Sequence, residues 1–288
     1  MINFLKYRFV AISFSIALAV LFIGLYFKKG GLTYGIEFTG GTQALFKFEK
    51  PVDSKKLLQD VKGKWSGAVA REFSETQVLI RVREHKGDTR GLTDRIREQI
   101  QATNPDNPVT IESSEVVGPG VGAELRWKSM VTFVLALFLM MLYIILRFWS
   151  IGYAVGAAIA LLHDAFMILG FMLLFGREIS INVIGALLAV IGYSVNDSIV
   201  IFSRMRENFK KKSGASVAEV VNKSLNQTFK RTLLTSFSTF LAVGSLLLLG
   251  GEVLRDFSMV LMMGIFFGTY SSIYIASPVM MLFYKKEK

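Results

Sequence analysis

Residues 179–202 read ISINVIGALLAVIGYSVNDSIVIF, and Asp197 is the only charged side chain among them. A helix rises about 1.5 Å per residue, so this stretch is long enough to cross a hydrocarbon core of about 30 Å. Helix is also the conformation that lipid allows, because unpaired backbone groups cannot face hydrocarbon. The stretch therefore predicts a transmembrane helix that carries a carboxyl group.

Five further apolar runs lie on either side of this stretch along the chain. They are Phe9–Phe27, Ser129–Leu146, Ile151–Phe175, Thr232–Gly250 and Phe257–Tyr284. Each is close to the roughly 20 residues that a membrane span needs. The apolar core of a cleaved signal peptide has only about 7–15 residues, so we interpret the first run as an uncleaved span. Together the runs predict a polytopic α-helical membrane protein with six spans.

The distribution of charge predicts how the spans are oriented. The net charge is +11 over 288 residues, which would suggest nucleic-acid binding in a soluble protein. In a membrane protein the same excess arises because cytoplasmic loops retain Lys and Arg. With the N-terminus inside, the short cytoplasmic segments are 1–8, 147–150, 203–231 and 285–288, and they hold 14 Lys or Arg against 3 Glu. We expect both termini in the cytoplasm and no nucleic-acid partner.

Residues 28–128 are mixed in composition and are expected to form an extracytoplasmic domain. It separates the first segment, 1–27, from a five-helix bundle, 129–288, in which 203–231 is a cytoplasmic loop. The predicted elements of the outer domain follow the order βαββαβ. Its strands are Gly41–Glu49, Ala68–Phe73, Thr76–Arg83 and Pro108–Val117, and its helices are 51–61 and 88–102. This order is typical of a small α+β ferredoxin-like domain.

Two acids, Asp164 and Asp197, lie inside the predicted spans. A charge at the bilayer centre costs at least about 2.5–3.5 kcal/mol on insertion scales, so each acid needs a reason. Asp197 has Ser194 one helical turn before it and Asn196 beside it. It either accepts hydrogen bonds that hold the bundle together, or gains and loses a proton in a water-reached cavity, as in pumps and transporters.

Other polar side chains in the spans are candidate partners of these acids. Arg231, at the cytoplasmic end of the fifth span, is either the counter-charge of Asp197 or an anchor that fixes topology. His163 and Asp164 are adjacent, so they point about 100° apart around the third span. They form either a polar contact with another helix or a secondary path for protons. Hydroxyl groups near Arg231 form a stripe that either packs helices or lines a pathway: Thr228, Thr232, Thr235, Ser236 and Thr239.

Small residues repeat four positions apart in three spans, and such pairs let helices approach closely. The pairs are Gly152/Gly156, Gly185/Ala189 and Gly264/Gly268. Residues 118–122 read GPGVG and lack the Lys-Ser/Thr of a phosphate loop, so we expect a turn where the chain re-enters the membrane. The chain has no cysteine, no metal-binding signature and no Ser/His/Asp set. We therefore expect neither enzymatic activity nor a bound cofactor.

Several motifs together resemble the SecF subunits of the SecD/SecF protein-export family, over essentially the whole chain. They are GIEFTGG (35–41), VVGPGVGAEL (116–125), LLHD (161–164), IGYSVNDSIVIF (191–202), RMREN (204–208), SLNQT (224–228) with Arg231, and GTYSSIYIASP (268–278). Two positions depart from the family pattern. Glu37 stands where Asp is usual, which keeps the charge, and Ser203 stands where Asp is frequent, which removes one acid at the cytoplasmic edge.

The resemblance implies half of an RND-type transporter that pairs with SecD into a twelve-span unit of the bacterial inner membrane. It also implies association with the SecYEG channel, YajC and membrane lipid, and use of protons as the coupling ion to move preproteins outward after SecA-driven translocation. In that family the residues matching Asp197 and Arg231 are implicated in proton transport. Two alternatives stay open, namely a small-molecule efflux subunit and a passive assembly scaffold.

Overall fold

Long apolar helices account for most of the chain in the computed structural model, which describes residues 2–65, 68–82, 91–211 and 215–283. After a short 3-10 turn at Phe4–Tyr7, the helices are α1 (Arg8–Lys29), α2 (Ile36–Thr39), α3 (Ser54–Lys62), α4 (Leu92–Thr103), α5 (Pro119–Phe148), α6 (Ile151–Leu174), α7 (Ile181–Lys211), α8 (Val217–Leu249), α9 (Gly251–Ser271) and α10 (Ser277–Phe283). Six helical segments of the described chain are long and apolar enough to cross a membrane, α9 and α10 forming one of them. The predicted six spans are confirmed.

Most of the segment 203–231, predicted to be a cytoplasmic loop, is helical. Helix α7 continues to Lys211, and α8 already begins at Val217. Ser216 starts α8 through a capping box, in which its hydroxyl accepts from the backbone N–H of Glu219 and the Glu219 carboxylate accepts from the backbone N–H of Ser216. Apolar composition marks where lipid ends, whereas the helix ends only where its backbone hydrogen bonds end.

Helix α5 also begins earlier than the apolar run predicted. The expected turn at 118–122 is the first turn of this helix, with Pro119 in its first position. Proline suits that position because it lacks only an N–H that would have no partner within the helix. Four parts of predicted elements lie outside the described residues: Arg83, residues 88–90, residues 212–214 and the C-terminal segment from Tyr284.

The membrane bundle is packed around three spans. In the spans of α6, α7 and α9–α10, 56%, 50% and 56% of the central residues are buried, against 11%, 6% and 11% for α1, α5 and α8. Gly264 of α9 faces the side chain of Val190, so an added Cβ would overlap it. Gly268 faces Ser194, and a Cβ added at Gly268 would lie 3.0 Å from the Cβ of Ser194. These contacts bring α7 and α9 close together at the depth of the buried acids.

The last span contains a π-helical turn at Ser272–Ala276. Pro278 follows, and a proline in a regular helix would lack an N–H and clash with the carbonyl four residues earlier. The wider turn accommodates the ring, and Ser277 Oγ donates to the carbonyl of Ser272 at 2.8 Å. On α6, Gly156 lies against this turn, since a Cβ there would come within 2.6 Å of the Ala276 carbonyl.

Residues Tyr34–Met130 form a second compact unit around a four-stranded sheet. Its strands are β1 (Gly41–Phe48), β2 (Val69–Ser74), β3 (Gln77–Val82) and β4 (Val109–Val117), in the order β2-β3-β1-β4 with every neighbouring pair antiparallel. Alternate side chains of the sheet meet the apolar faces of α3 and α4 in one core, which includes Phe46, Leu57, Ile80, Ile96 and Ile100. The predicted ferredoxin-like fold is confirmed.

Candidate functional site

Asp164 lies at the centre of a hydrogen-bonded cluster in the membrane bundle. It is 1% exposed, on α6. Its Oδ2 accepts from Ser194 Oγ of α7 at 2.7 Å and from Ser271 Oγ of α9 at 2.9 Å. Its Oδ1 lies 3.1 Å from His163 Nδ1. One carboxyl group therefore joins the three central spans, and Ser194 contacts Asp164 rather than Asp197.

The cluster continues to the first span through His163. The ring Nε2 lies 3.0 Å from Ser15 Oγ, and Ser15 Oγ lies 2.9 Å from the hydroxyl of Tyr270. That hydroxyl donates to the backbone carbonyl of Ala11 at 2.6 Å. His163 and Asp164 point in different directions, as expected of neighbours on a helix, yet they belong to one network because the imidazole reaches back to the carboxyl group.

Asp197 is buried to 4% exposure on α7 and has few partners. Its Oδ2 lies 3.4 Å from Ser236 Oγ of α8, which is a long hydrogen bond. Ser236 Oγ is much closer to Thr269 Oγ1, at 2.7 Å, and Thr269 donates its own proton to the Ile265 carbonyl. Thr269 therefore competes with Asp197 for the one proton of Ser236. Within the described residues, Asp197 is a buried carboxyl group with a single weak donor.

Arg231 does not form a direct ion pair with Asp197 within the part of the chain that the structure describes. It acts on the Asp197 carboxyl group by Coulombic interaction, and its own side chain is exposed on α8. The structure thus places the expected counter-charge near the acid but not in contact with it. Asn196 is exposed as well, because it lies about 100° around α7 from its neighbour Asp197.

The predicted hydroxyl stripe of α8 separates into two faces. Thr228, Thr232 and Ser236, at intervals of four residues, are buried towards the bundle. Thr235 is exposed and Thr239 half-buried, and both donate to carbonyl oxygens of their own helix. Of the predicted members, Ser236 is the one that contacts Asp197.

Of the three predicted close-packing pairs, two lie in contacts between helices. Gly152 and Gly156 lie against α10 and the π-helical turn, and Gly264 and Gly268 lie against α7. A Cβ on Gly185 would meet nothing within 4 Å, and Ala189 is exposed on the same face of α7. The structure therefore does not place Gly185 and Ala189 in a helix contact within the described chain. Spacing alone did not indicate which face of α7 is covered.

Sequence reasoning missed four residues of the site: Ser15, Thr269, Tyr270 and Ser271. The apolar run of α1 contains two serines, Ser13 and Ser15, and serine hydroxyls in helices commonly bond their own backbone. The other three belong to the motif GTYSSIYIASP, which reads as a polar segment next to Pro278. A signal was present there, since Ser and Thr side chains often satisfy groups near a proline in a span.

The arrangement provides acids and hydroxyl groups for proton transfer between helices. Ser198 Oγ and Ser272 Oγ are 2.9 Å apart beside the two acid clusters. Ser194, which holds Asp164, precedes Asp197 by three residues, so the two side chains share one face of α7.

Comparison with known proteins identifies the relatives of this chain. Residues 95–286 match the family described as "Protein export membrane protein SecD/SecF, C-terminal", and residues 29–52 match the "SecD/SecF GG Motif". The protein translocase subunit SecF of Calditerrivibrio nitroreducens is 42% identical, over 92% of this chain and 88% of the relative. The SecF of Pseudomonas aeruginosa is 39% identical, over 97% and 90%.

The fold has a solved counterpart in a longer protein. The crystal structure of SecDF, a translocon-associated membrane protein from Thermus thermophilus, matches with a TM-score of 0.86 at 37% identity, over 96% of this chain and 38% of that one. SecDF in the super-membrane-facing form matches with a TM-score of 0.71 at 36% identity, over 98% and 38%. This chain thus spans somewhat more than a third of the SecDF chain.

Proposed function

The chain belongs to the SecD/SecF family of protein-export membrane proteins, and from this premise we propose that it couples preprotein export to the proton motive force. It is an accessory subunit of the Sec translocon, and its six apolar helices make it a multi-pass membrane protein. The observation that carries the proposed coupling is Asp197, a carboxyl group 4% exposed inside a span with one weak hydrogen-bond donor.

Asp197 acts as the proton carrier in this proposal. An ionised carboxyl group with so few partners is costly in a membrane interior, and a bound proton removes that cost. When the proton leaves, Arg231 is the cation that acts on the remaining charge. The attraction draws the inner part of α8 towards α7, and a new proton releases it. The two positions of α8 would be the mechanical output.

The expected partner is SecD, because relatives of this chain occur fused in SecDF proteins. The complex would act beside the SecYEG channel, with YajC and membrane lipid as further contacts, on preproteins that SecA has begun to move. We place it in the bacterial inner membrane with both termini in the cytoplasm, as the excess of Lys and Arg in the short loops indicates. It acts without enzymatic chemistry or a cofactor, and protons are its coupling ion.

The Arg231→Gln variant tests the proposed pair. Because Arg231 is exposed and makes no direct contact with Asp197, its removal should leave the fold and the complex with SecD intact. Proton-gradient-dependent export should fall several-fold, because the ionised Asp197 loses the cation that acts on it, and an exposed charge partner is typically worth up to about 1 kcal/mol. Export is measured in membrane vesicles that contain the complete complex, with and without an imposed proton gradient.

Lys230→Gln is the matched control for this experiment. It removes the same charge from the next residue of α8, whose side chain is also exposed but points about 100° away. Export by this variant should match that of the unchanged chain. Equal losses in both variants, or none in either, would identify Arg231 as a topology anchor only. A deletion strain that became sensitive to small toxic compounds while its export stayed normal would instead support efflux.

A further inference from the structure

We infer that His163 and Asp164 form a second proton-binding site, which exchanges its proton through Ser15 and Tyr270 at the side of α1. The inference deepens the proposed function, on which its role in export rests. The presence of the bound proton is inferred from the hydrogen bonds of the cluster and does not depend on the proposed function. The donor is fixed at one end of the network, at the hydroxyl of Tyr270.

The direction of each hydrogen bond follows from that end. The Tyr270 hydroxyl has one proton, and a backbone carbonyl can only accept. In the 2.6 Å contact, Tyr270 therefore donates this proton to the carbonyl oxygen of Ala11. Ser15 must then donate its proton to the Tyr270 oxygen, 2.9 Å away. His163 Nε2, 3.0 Å from Ser15 Oγ, must in turn carry a proton and donate it to Ser15.

The other ring nitrogen then requires a proton shared with Asp164. Nδ1 lies 3.1 Å from Asp164 Oδ1, and two lone pairs facing each other at that distance would repel. Either Nδ1 carries a second proton and the ring is an imidazolium beside a carboxylate, or Oδ1 carries the proton and donates it to Nδ1. Oδ2 already accepts from Ser194 and Ser271, so it is not the protonated oxygen. The pair therefore holds one exchangeable proton.

Among the described residues, the surroundings of the pair supply no other charge. His163 also packs against the rings of Phe267 and Tyr270, at 6.2 and 5.9 Å between centroids. The neighbouring helices contribute the hydroxyl groups of Ser15, Ser194, Tyr270 and Ser271. In the described middle parts of the spans, the other acid is Asp197, three residues beyond Ser194. One bound proton makes the pair neutral overall, which suits a site that is 1% exposed at Asp164.

The hydrogen bonds from His163 through Ser15 to Tyr270 form a branch of the network. Release of the proton reverses the hydrogen bonds along this branch. Nε2 gives its proton to Ser15, Ser15 gives its own to Tyr270, and Tyr270 releases the proton that had bonded Ala11. Afterwards Nδ1–H donates to the Asp164 carboxylate, Ser15 donates to the bare Nε2, and Tyr270 donates to Ser15. One proton has left and each oxygen of the branch keeps one. The half-buried rings of Tyr270 and Tyr274, 5.5 Å apart, mark the exit beside α1.

Nitrogen NMR of the histidine ring tests the bound proton directly. The chain has two histidines, so in a labelled His85→Gln chain combined with unlabelled SecD the one labelled imidazole is that of His163. At neutral pH, Nε2 should carry a proton. A ring that is already neutral with a bare Nε2 at neutral pH would overturn the inference.

Tyr270→Phe tests the branch, with Tyr193→Phe as its control. Both remove one tyrosine hydroxyl from the spans, but the Tyr193 hydroxyl has no hydrogen-bond partner among the described residues. Tyr270→Phe should slow proton-driven export by about tenfold or more, because a positioned proton-transfer group typically contributes at least that much. Tyr193→Phe should not. Unchanged export in Tyr270→Phe, while Asp197→Asn abolishes it, would refute the branch but keep the proposed function. Slower export in Tyr270→Phe together with unchanged export in Asp197→Asn would refute the proposed role of Asp197 but keep the branch.

Discussion

Replacing Asp197 by Asn is expected to abolish the response of export to a proton gradient while the complex with SecD still assembles. The amide has nearly the same shape as the carboxyl group, and the one partner of Asp197, Ser236 Oγ, can donate to the amide oxygen as well. What is lost is the ability to bind and release a proton. Gradient-dependent stimulation should fall by about a hundredfold or more, the usual contribution of an essential proton-transfer group.

Asp197→Glu is the conservative comparison for this variant. It keeps a carboxyl group on a longer side chain, so it should retain part of the stimulation that Asp197→Asn loses. Both variants are compared at equal amounts of co-purified SecD, in vesicles with and without the gradient. Full stimulation in Asp197→Asn would refute the proton-carrier role. It would leave this subunit as a scaffold that assembles the export machinery without coupling it to protons.

Gly264→Val is expected to destabilise the membrane bundle more than any exchange at an exposed position of its spans. The added Cβ would overlap the side chain of Val190, which is 3% exposed and stiff because it branches at Cβ. Helices α7 and α9 would have to separate at the depth of Asp164. Overpacking of this kind costs typically about 1–3 kcal/mol and more where the neighbour cannot move. Thermal melting of the purified chain in detergent measures the loss.

Gly185→Val is the matched control for the packing prediction. It introduces the same side chain into a small-xxx-small pair of the same bundle, but a Cβ at Gly185 meets nothing within 4 Å. The melting temperature of the purified chain should change by little more than the lower helix propensity of Val accounts for. Equal losses in both variants would mean that Val190 moves aside at no cost. In the complex, by contrast, a loss confined to Gly185→Val would locate a partner on that face of α7.

The positions of the spans were accessible from sequence because their signal is local. A run of about 20 apolar residues needs no knowledge of its neighbours to be assigned to lipid. The ends of α7 and α8 were less accessible, because polar residues continue both helices beyond the apolar runs. One of these ends did carry a local signal. Ser216 and Glu219 have the spacing of a capping box, and that pair alone would have moved the start of α8 to the correct residue.

The partners of the acids could not be derived in the same way. Whether Ser194 bonds Asp164 or Asp197 depends on how α6, α7 and α9 are rotated about their axes, and contacts between helices set those rotations. Spacing on α7 placed Ser194 beside Asp197, whereas the close approach of Gly268 to Ser194 turns that hydroxyl towards Asp164. Arg231 is a similar case. Its depth along α8 was predictable, but its distance from Asp197 depends on the packing of α8 against α7.

The wide turn near the end of the last span makes chain length a constraint of its own. Each residue turns a helix by about 100°, so deleting one residue from 272–276 would rotate α10 by that angle relative to α9. Met280 would lose its place against Gly156, and the ring of Pro278 would fall in a regular turn that cannot hold it. Exchange of one apolar residue for another is tolerable here, whereas a one-residue insertion or deletion is not.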